Sequence, residues 1–202
     1  SPTTDYGTVT KTSPYGSIDR PFSAASLAIG AGATFFARTL DVDIKHMQEV
    51  FLAAANHRGT SFVEVLQNCV IFNDGAHDWI TDKENREDRI LRLEHGKPML
   101  FGKNRDKGIM LDGINPIVVT LGEAGITEKD ILIHDAKAPR STLAYFLSKF
   151  SAPAFPFPVG VYRAVGASNY ENEVDTQIKN VREKKGVGDL QKYLESGEIW
   201  SV

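Results

Sequence analysis

One side chain in this sequence offers chemistry that no other residue supplies: Cys69, the single cysteine among 202 residues. It stands in Val65-Leu66-Gln67-Asn68-Cys69-Val70-Ile71-Phe72-Asn73, just past an apolar run where a buried strand leaves its sheet. A strand end fixes a side chain in place, and the loop beyond it can open onto a cofactor or a partner. The chemistry on offer is that of a thiolate, a metal ligand. The plainer reading is a small buried hydrophobe. One cysteine forms no internal disulfide, which fits a reducing compartment and points to the cytoplasm.

The remaining candidates are weaker. Asp74, His77 and Asp78 have the spacing of metal ligands on a loop, but charged loops produce such clusters without a dedicated site. His134-Asp135 follows the apolar run Ile131-Leu132-Ile133, where α/β sheets often place functional groups. With no recognisable partner, a structural hydrogen bond is the expected role of His134. His46 and His57 fall in a helical stretch and read as polar surface. The phosphate-binding glycine motifs, the nucleophile elbow of hydrolases and the H-E-x-x-H zinc motif are all missing from the sequence.

Bulk properties narrow the classes further. Hydrophobic residues make up 42% and charged residues 24%, with 23 Lys and Arg against 26 Asp and Glu for a net charge of -3. That balance gives no basic footprint for nucleic acid. No apolar stretch approaches the ~20 residues that cross a bilayer, so no membrane role is expected.

The elements that must hold Cys69 follow from the pattern. Residues 1–20 carry turn signals at Pro2, Gly7, Pro14 and Gly16 and suit an irregular segment lying over a site or interface. Pro21 opens a helix of small residues that runs through Gly32. Thr34 to Arg38 reads as a short strand. Asp41 and Asp43 offer caps for a helix from Ile44 to about His57, with Ile44, Met47, Val50, Phe51 and Ala54 at helical spacing. Ser61 to Leu66 is a mostly apolar strand of the kind found inside parallel sheets. Strand, helix and strand make a βαβ unit and an α/β fold.

Beyond Asn73 the sequence changes. Residues 73–94 alternate acids and bases with few apolar anchors, and read as an exposed loop and a short charged helix. Strands are expected over 98–101, 108–111, 116–119 and 130–133, and a helix over 141–150. The run Ala152-Pro153-Ala154-Phe155-Pro156-Phe157-Pro158 excludes helix and central strand, and reads as a rigid packed connector. A polar helix is expected from Tyr170 to about Lys185. Leu190, Tyr193, Leu194, Ile199 and Trp200 form a last apolar set, expected to dock on its own subunit or a neighbour.

Several segments in fixed order carry a resemblance. Ser1-Pro2-Thr3-Thr4, Gly7, Lys11-Thr12-Ser13-Pro14-Tyr15-Gly16-Ser17, Pro21-Phe22, Ala31-Gly32-Ala33-Thr34-Phe35, Ala37-Arg38 and Val65-Leu66-Gln67-Asn68-Cys69-Val70 with Phe72-Asn73 resemble the beta subunit of 2-oxoacid:ferredoxin oxidoreductases. Asn68 stands where that family often has proline. Arg92-Leu93-Glu94-His95-Gly96-Lys97-Pro98 and Gly197-Glu198-Ile199-Trp200-Ser201-Val202 resemble the longer beta subunits of its 2-oxoglutarate branch.

The resemblance implies a thiamine-diphosphate-binding fold with a mostly parallel sheet. Residues 1–95 correspond to the C-terminal half of the thiamine diphosphate domain, and 96–202 to a C-terminal extension. It implies thiamine diphosphate, Mg2+ and a 4Fe–4S cluster, with Cys69 as the fourth cluster ligand and no catalytic residue within the fragment. The other three cysteines and the Gly-Asp-Gly-Asp-type magnesium motif are expected upstream of Ser1. The implied reaction is oxidative decarboxylation of a 2-oxoacid, with the acyl group passed to coenzyme A and electrons to ferredoxin. An alpha subunit is the implied partner. The competing expectation is a non-catalytic docking module in which Cys69 is merely buried.

Overall fold

The computed structural model describes residues 4–71, 73–198 and 200. The resemblance-bearing Ser1–Thr3, Phe72, Ile199, Ser201 and Val202 lie outside the described residues. Two compact units emerge, one ending at Ala167 and one beginning at Ser168.

The first unit begins its regular structure at α1 (Ala24–Gly30), where the Ser23 hydroxyl caps the helix by accepting from the Ser26 N–H. Strand β1 (Phe35–Leu40), helix α2 (Ile44–Ala55) and strand β2 (Ser61–Leu66) then form the expected βαβ unit. The two strands run parallel, in register from Phe35 opposite Ser61 to Leu40 opposite Leu66. Asp43 caps α2 through the His46 N–H, so the start of the helix is fixed by a side chain the sequence singles out. Every residue of β1 is buried, because α1 covers one face through Phe36 and α2 covers the other through Phe35, Ala37 and Val50. In contrast, β2 is an edge strand of this sheet, with Phe62 and Val65 exposed, rather than an interior one.

The four-stranded sheet has the order β2-β1-β7-β3 and is mostly parallel. Its two remaining strands come from regions where the sequence suggests none. Strand β3 (Ile90–Leu93) lies within the charged stretch, after the four-residue helices α3 (Asp78–Thr81) and α4 (Arg86–Arg89). The apolar anchors are few but well spaced: Ile80, Ile90, Leu91 and Leu93 are all buried. Strand β7 (Phe157–Ala164) is central, parallel to β3 and antiparallel to β1. It begins inside the proline-rich run, with Phe157 opposite Ile90 and Pro158 opposite Leu91. Proline is tolerated because the ladder to β1 starts only at Gly160, so the missing N–H falls before the doubly paired portion. Phe155 stacks on Phe150 with ring centroids 4.3 Å apart, which makes the preceding segment the packed connector expected.

A second, antiparallel sheet of order β4-β5-β6 contains β4 (Leu100–Phe101), β5 (Lys107–Asp112) and β6 (Asn115–Thr120). The run 130–133 is no regular strand: residues 128–130 form a 3-10 turn, and only an isolated bridge joins Ile133 to Pro98. Helix α5 (Thr142–Ser148) buries Ala144 and Leu147 in the core shared by both sheets, together with Phe36, Leu91, Met99, Ile109 and Tyr162.

The second unit holds α6 (Tyr170–Lys185) and α7 (Leu190–Leu194). No residue of either helix is buried. Leu190, Tyr193, Leu194 and Trp200 of the expected docking set are exposed, and Ile199 is outside the described residues. Among the described residues, no helix is long and apolar enough to cross a membrane.

Candidate functional site

Cys69 lies three residues past Leu66, the last residue of β2, and is exposed. It forms an isolated antiparallel bridge with Asn73, whose N–H donates to the Cys69 carbonyl at 2.9 Å. The loop between them raises Val70 and Ile71 into solvent, 73% and 65% exposed, so the thiol is flanked by an apolar tip. The expectation of a buried small hydrophobe therefore does not match its environment.

Asn68 sets the geometry of that loop. Its amide nitrogen donates to the Asp74 carboxylate at 2.8 Å, and its amide oxygen accepts from the Gly75 N–H at 3.0 Å. One side chain thus ties the two stems together around Cys69. Asp74 is engaged here rather than with His77 and Asp78. Among the described residues, no group of three or more His, Cys, Asp or Glu is placed to hold a metal ion.

Beside the loop lies a cavity of about 670 Å³. Its walls include Gln67, Asn73, His77, Trp79 and Phe157, with Asp5 and Thr8 of the irregular N-terminal segment on another side. The floor contains a buried ion pair. Arg38, only 6% exposed, donates through Nε to Glu64 at 2.5 Å and through a terminal nitrogen to the Tyr162 hydroxyl at 2.8 Å. Tyr162 in turn donates to the Pro158 carbonyl at 2.7 Å. The guanidinium also lies 4.5 Å from the Phe157 ring centroid. Burial opposes the charge on Arg38, yet Tyr162 and Glu64 outweigh it and hold the guanidinium above its ordinary range. Burial pushes the Tyr162 phenol up, so it stays a neutral donor. The site therefore carries one fixed, hydrogen-bonded charge pair beneath the cysteine loop.

A bulge makes this network possible. Phe36 pairs with Arg163 and Ala37 with Val161, which leaves Tyr162 as the extra residue of β7. Bulges re-aim side chains next to sites, and Tyr162 is here fully buried at the Arg38 end of β1.

His134, His46 and His57 are held in hydrogen bonds within the fold. His134 is buried and donates from Nε2 to the Val161 carbonyl at 2.7 Å, the role expected for it. His46 is half-buried, sharing a 2.9 Å hydrogen bond with Thr39, and His57 does the same with Thr34. Both are more engaged than polar surface. Sequence reading missed the Arg38–Glu64–Tyr162 network, although a signal existed: an arginine inside an apolar strand, with a glutamate at the matching offset of the next strand, Arg38 opposite Glu64.

Comparison with known proteins bears on what this site belongs to. No family model matches the chain. A 2-oxoglutarate oxidoreductase subunit KorB from Mycobacterium tuberculosis is 38% identical over 205 residues, covering 100% of this chain and 54% of that protein. Over its whole length the chain is thus similar to a subunit of this kind of oxidoreductase. It spans about half the length of that relative. A 2-oxoacid:ferredoxin oxidoreductase beta subunit from Saccharolobus solfataricus is 36% identical over 94 residues, 46% of this chain and 29% of its own. A 2-oxoglutarate synthase subunit KorB from Archaeoglobus fulgidus is 45% identical over 69 residues, 34% of this chain and 26% of its own. The fold is also that of a solved 2-oxoglutarate:ferredoxin oxidoreductase chain from Magnetococcus marinus, with TM-score 0.54, 18% identity, and coverage of 98% of this chain and 52% of that one. That structure holds 2-oxoglutarate, coenzyme A and succinyl-CoA.

Proposed function

We propose that this chain is part of the beta subunit of a 2-oxoacid:ferredoxin oxidoreductase, acting on 2-oxoglutarate, and that Cys69 is one of four thiolates holding a 4Fe–4S cluster. The observation that carries the reading is the exposed Cys69 on a loop clasped at its base by Asn68, beside a cavity of about 670 Å³. A fixed, outward thiol among apolar side chains suits a ligand to a group that a neighbouring surface then covers. One thiolate is a quarter of the donor set, so the other three come from outside these 202 residues. In this reading the magnesium and diphosphate ligands likewise come from elsewhere in the enzyme.

Within that assembly the chain's own residues position and insulate. Asn68 holds the loop stems, and the exposed Val70 and Ile71 give a covering surface apolar side chains to pack on beside the thiol. Arg38 and Glu64 place a fixed charge pair in the cavity wall. The exposed edge of β2 offers a backbone ladder to the rest of the enzyme. Cys69 would hold the cluster as one of its thiolate ligands; the cluster would supply one-electron transfer and thiamine diphosphate the decarboxylation chemistry. An alpha subunit, ferredoxin, coenzyme A and the 2-oxoacid complete the set of partners, in the cytoplasm.

The test is Cys69→Ala and Cys69→Ser in the complete heteromeric enzyme, purified without oxygen. Iron and acid-labile sulfide should fall, and coenzyme A-dependent reduction of ferredoxin by 2-oxoglutarate should stop. Full iron content with full activity in Cys69→Ala would overturn the assignment and favour a docking module.

A further inference from the structure

Helix α6 reads YENEVDTQIKNVREKK and divides by charge. Its first half carries Glu171, Glu173 and Asp175, and its second half Lys179, Arg182, Lys184 and Lys185 with Glu183. That polarity complements the helix macrodipole, which accounts for charges near the ends. It does not account for the apolar residues. Tyr170, Val174, Ile178 and Val181 fall within roughly 80° of the circumference at 3.6 residues per turn. Tyr170 is 81% exposed, Ile178 43% and Val181 48%. Val174 is half-buried, so three of the four apolar residues in this stripe on a 16-residue helix stand exposed.

We infer that this face pairs with α6 of a second copy of the chain, antiparallel, about a two-fold axis near Ile178. Self-complementarity selects that occupant. In an antiparallel pair centred there, Val174 meets the second copy's Val181 at both ends of the contact, and the two Ile178 side chains meet near the axis. Flanking positions on the same side face each other. Glu171 then lies opposite Arg182 along one flank, and Glu173 opposite Lys184 along the other. The acidic half of each helix covers the basic half of its mate, and every flanking pair is attractive. A parallel pair would set acid against acid and base against base.

Size fixes the strength. A helix of this length gives a seam only ~24 Å long, too short on its own to bury the ~1,200 Å² of a stable interface. Self-association is therefore weak in the isolated chain, and it links two enzyme assemblies when other contacts add to it. Charge pairs on the rim contribute register and salt sensitivity more than affinity.

Sedimentation equilibrium on the 202-residue chain tests this, at concentrations up to about 500 µM, where a contact of this size is populated. The wild type should dimerise with a dissociation constant on the order of 100 µM. E171K/E173K should weaken self-association about tenfold or more, and R182E/K184E likewise, with circular dichroism confirming that each keeps its helix content. Mixed in equal amounts, the two variants should associate at least as well as wild type, because all four flanking pairs become attractive again. Ile178→Asp should abolish dimerisation whatever the charges. A wild type that stays monomeric, or variants that self-associate as strongly as wild type, would overturn the proposal. So would a mixture no tighter than either variant alone.

Discussion

Asn68 and Gly75 are joined across the cysteine loop: the Asn68 side-chain oxygen accepts from the Gly75 N–H at 3.0 Å while its nitrogen holds Asp74. Gly75 adopts φ +75°, and a Cβ there would sit 2.9 Å from the Asp78 carboxylate. Both residues are needed to bring the stems together. Asn68→Ala removes two hydrogen bonds at a half-buried position, about 1–2 kcal/mol of local stability. The Gly75 amide should then exchange with solvent roughly tenfold faster or more by hydrogen–deuterium exchange, with the global unfolding midpoint nearly unchanged. Unaltered exchange at Gly75 would show that the clasp does not hold the loop.

The same loop shows what the sequence made legible and what it did not. Periodicity placed β1, α2, β2 and α6 nearly to the residue, because each has an unambiguous pattern and a cap or breaker at its ends. Strand β3 was hidden because only Ile90, Leu91 and Leu93 stand out among charges, and four residues are too few for a period to declare itself. Strand β7 was hidden by Pro156 and Pro158, since proline argues against a central strand unless one knows where the second ladder begins. Cys69 was legible by its uniqueness. Asn68 read only as a departure from proline, and its hydrogen bonds to residues 74 and 75 had no local signature. The Arg38–Tyr162 contact spans 124 positions and depends on a bulge that no local pattern announces.

The buried ion pair gives a second prediction. Arg38→Met leaves Glu64, 17% exposed at its side chain, without its charge partner and should cost about 3–5 kcal/mol. Arg38→Met with Glu64→Leu should recover a large part of that loss, because no charge is then stranded. Tyr162→Phe deletes the hydroxyl between Arg38 and Pro158 and should cost about 1–3 kcal/mol. Urea denaturation of the three variants checks the ordering. A double variant less stable than Arg38→Met alone would refute the stranded-charge account.

His134 sets an acid limit. Burial holds its pKa below the ordinary 6.5, and nearby His95 acts in the same direction against the Val161 hydrogen bond. Its Nδ1 has no hydrogen-bond partner among the described residues, so the ring has a place for one proton only. Above pH 6.5 the ring is neutral folded and unfolded, and the fold loses nothing. As pH falls below that value the unfolded chain binds a proton that the folded chain refuses, with a limiting slope of about 1.4 kcal/mol per pH unit. His46 and His57, also lowered by burial, add to the slope. Thermal unfolding from pH 7.5 to 5 should show the midpoint falling below about pH 6.5. His134→Gln should be less stable at pH 7.5 but flatter with pH. An equally steep profile in the variant would remove His134 as a cause.

At Gly160 strand β7 pairs with Leu93 of β3 and leaves no room for a Cβ. Its φ is +116°, and a Cβ would sit 2.8 Å from the Leu93 carbonyl oxygen and 3.2 Å from the Leu93 Cβ. The left-handed backbone alone strains any other residue by about 1–3 kcal/mol, and the contact with a backbone atom has no flexible side chain to yield. Because Gly160 pairs with Leu93 on one side and Arg38 on the other, relief by backbone movement would pull on both ladders. Gly160→Ala should therefore lower stability by at least about 3 kcal/mol. Gly166 is the control: it has no positive φ, and its Cβ would meet only the Arg58 carbonyl at 4.0 Å. Gly166→Ala should change stability by no more than about 0.5 kcal/mol. Urea midpoints at constant m-value provide the measurement. If the two alanine variants unfold alike, the close approach of β7 and β3 at Gly160 is not what holds the centre of the sheet.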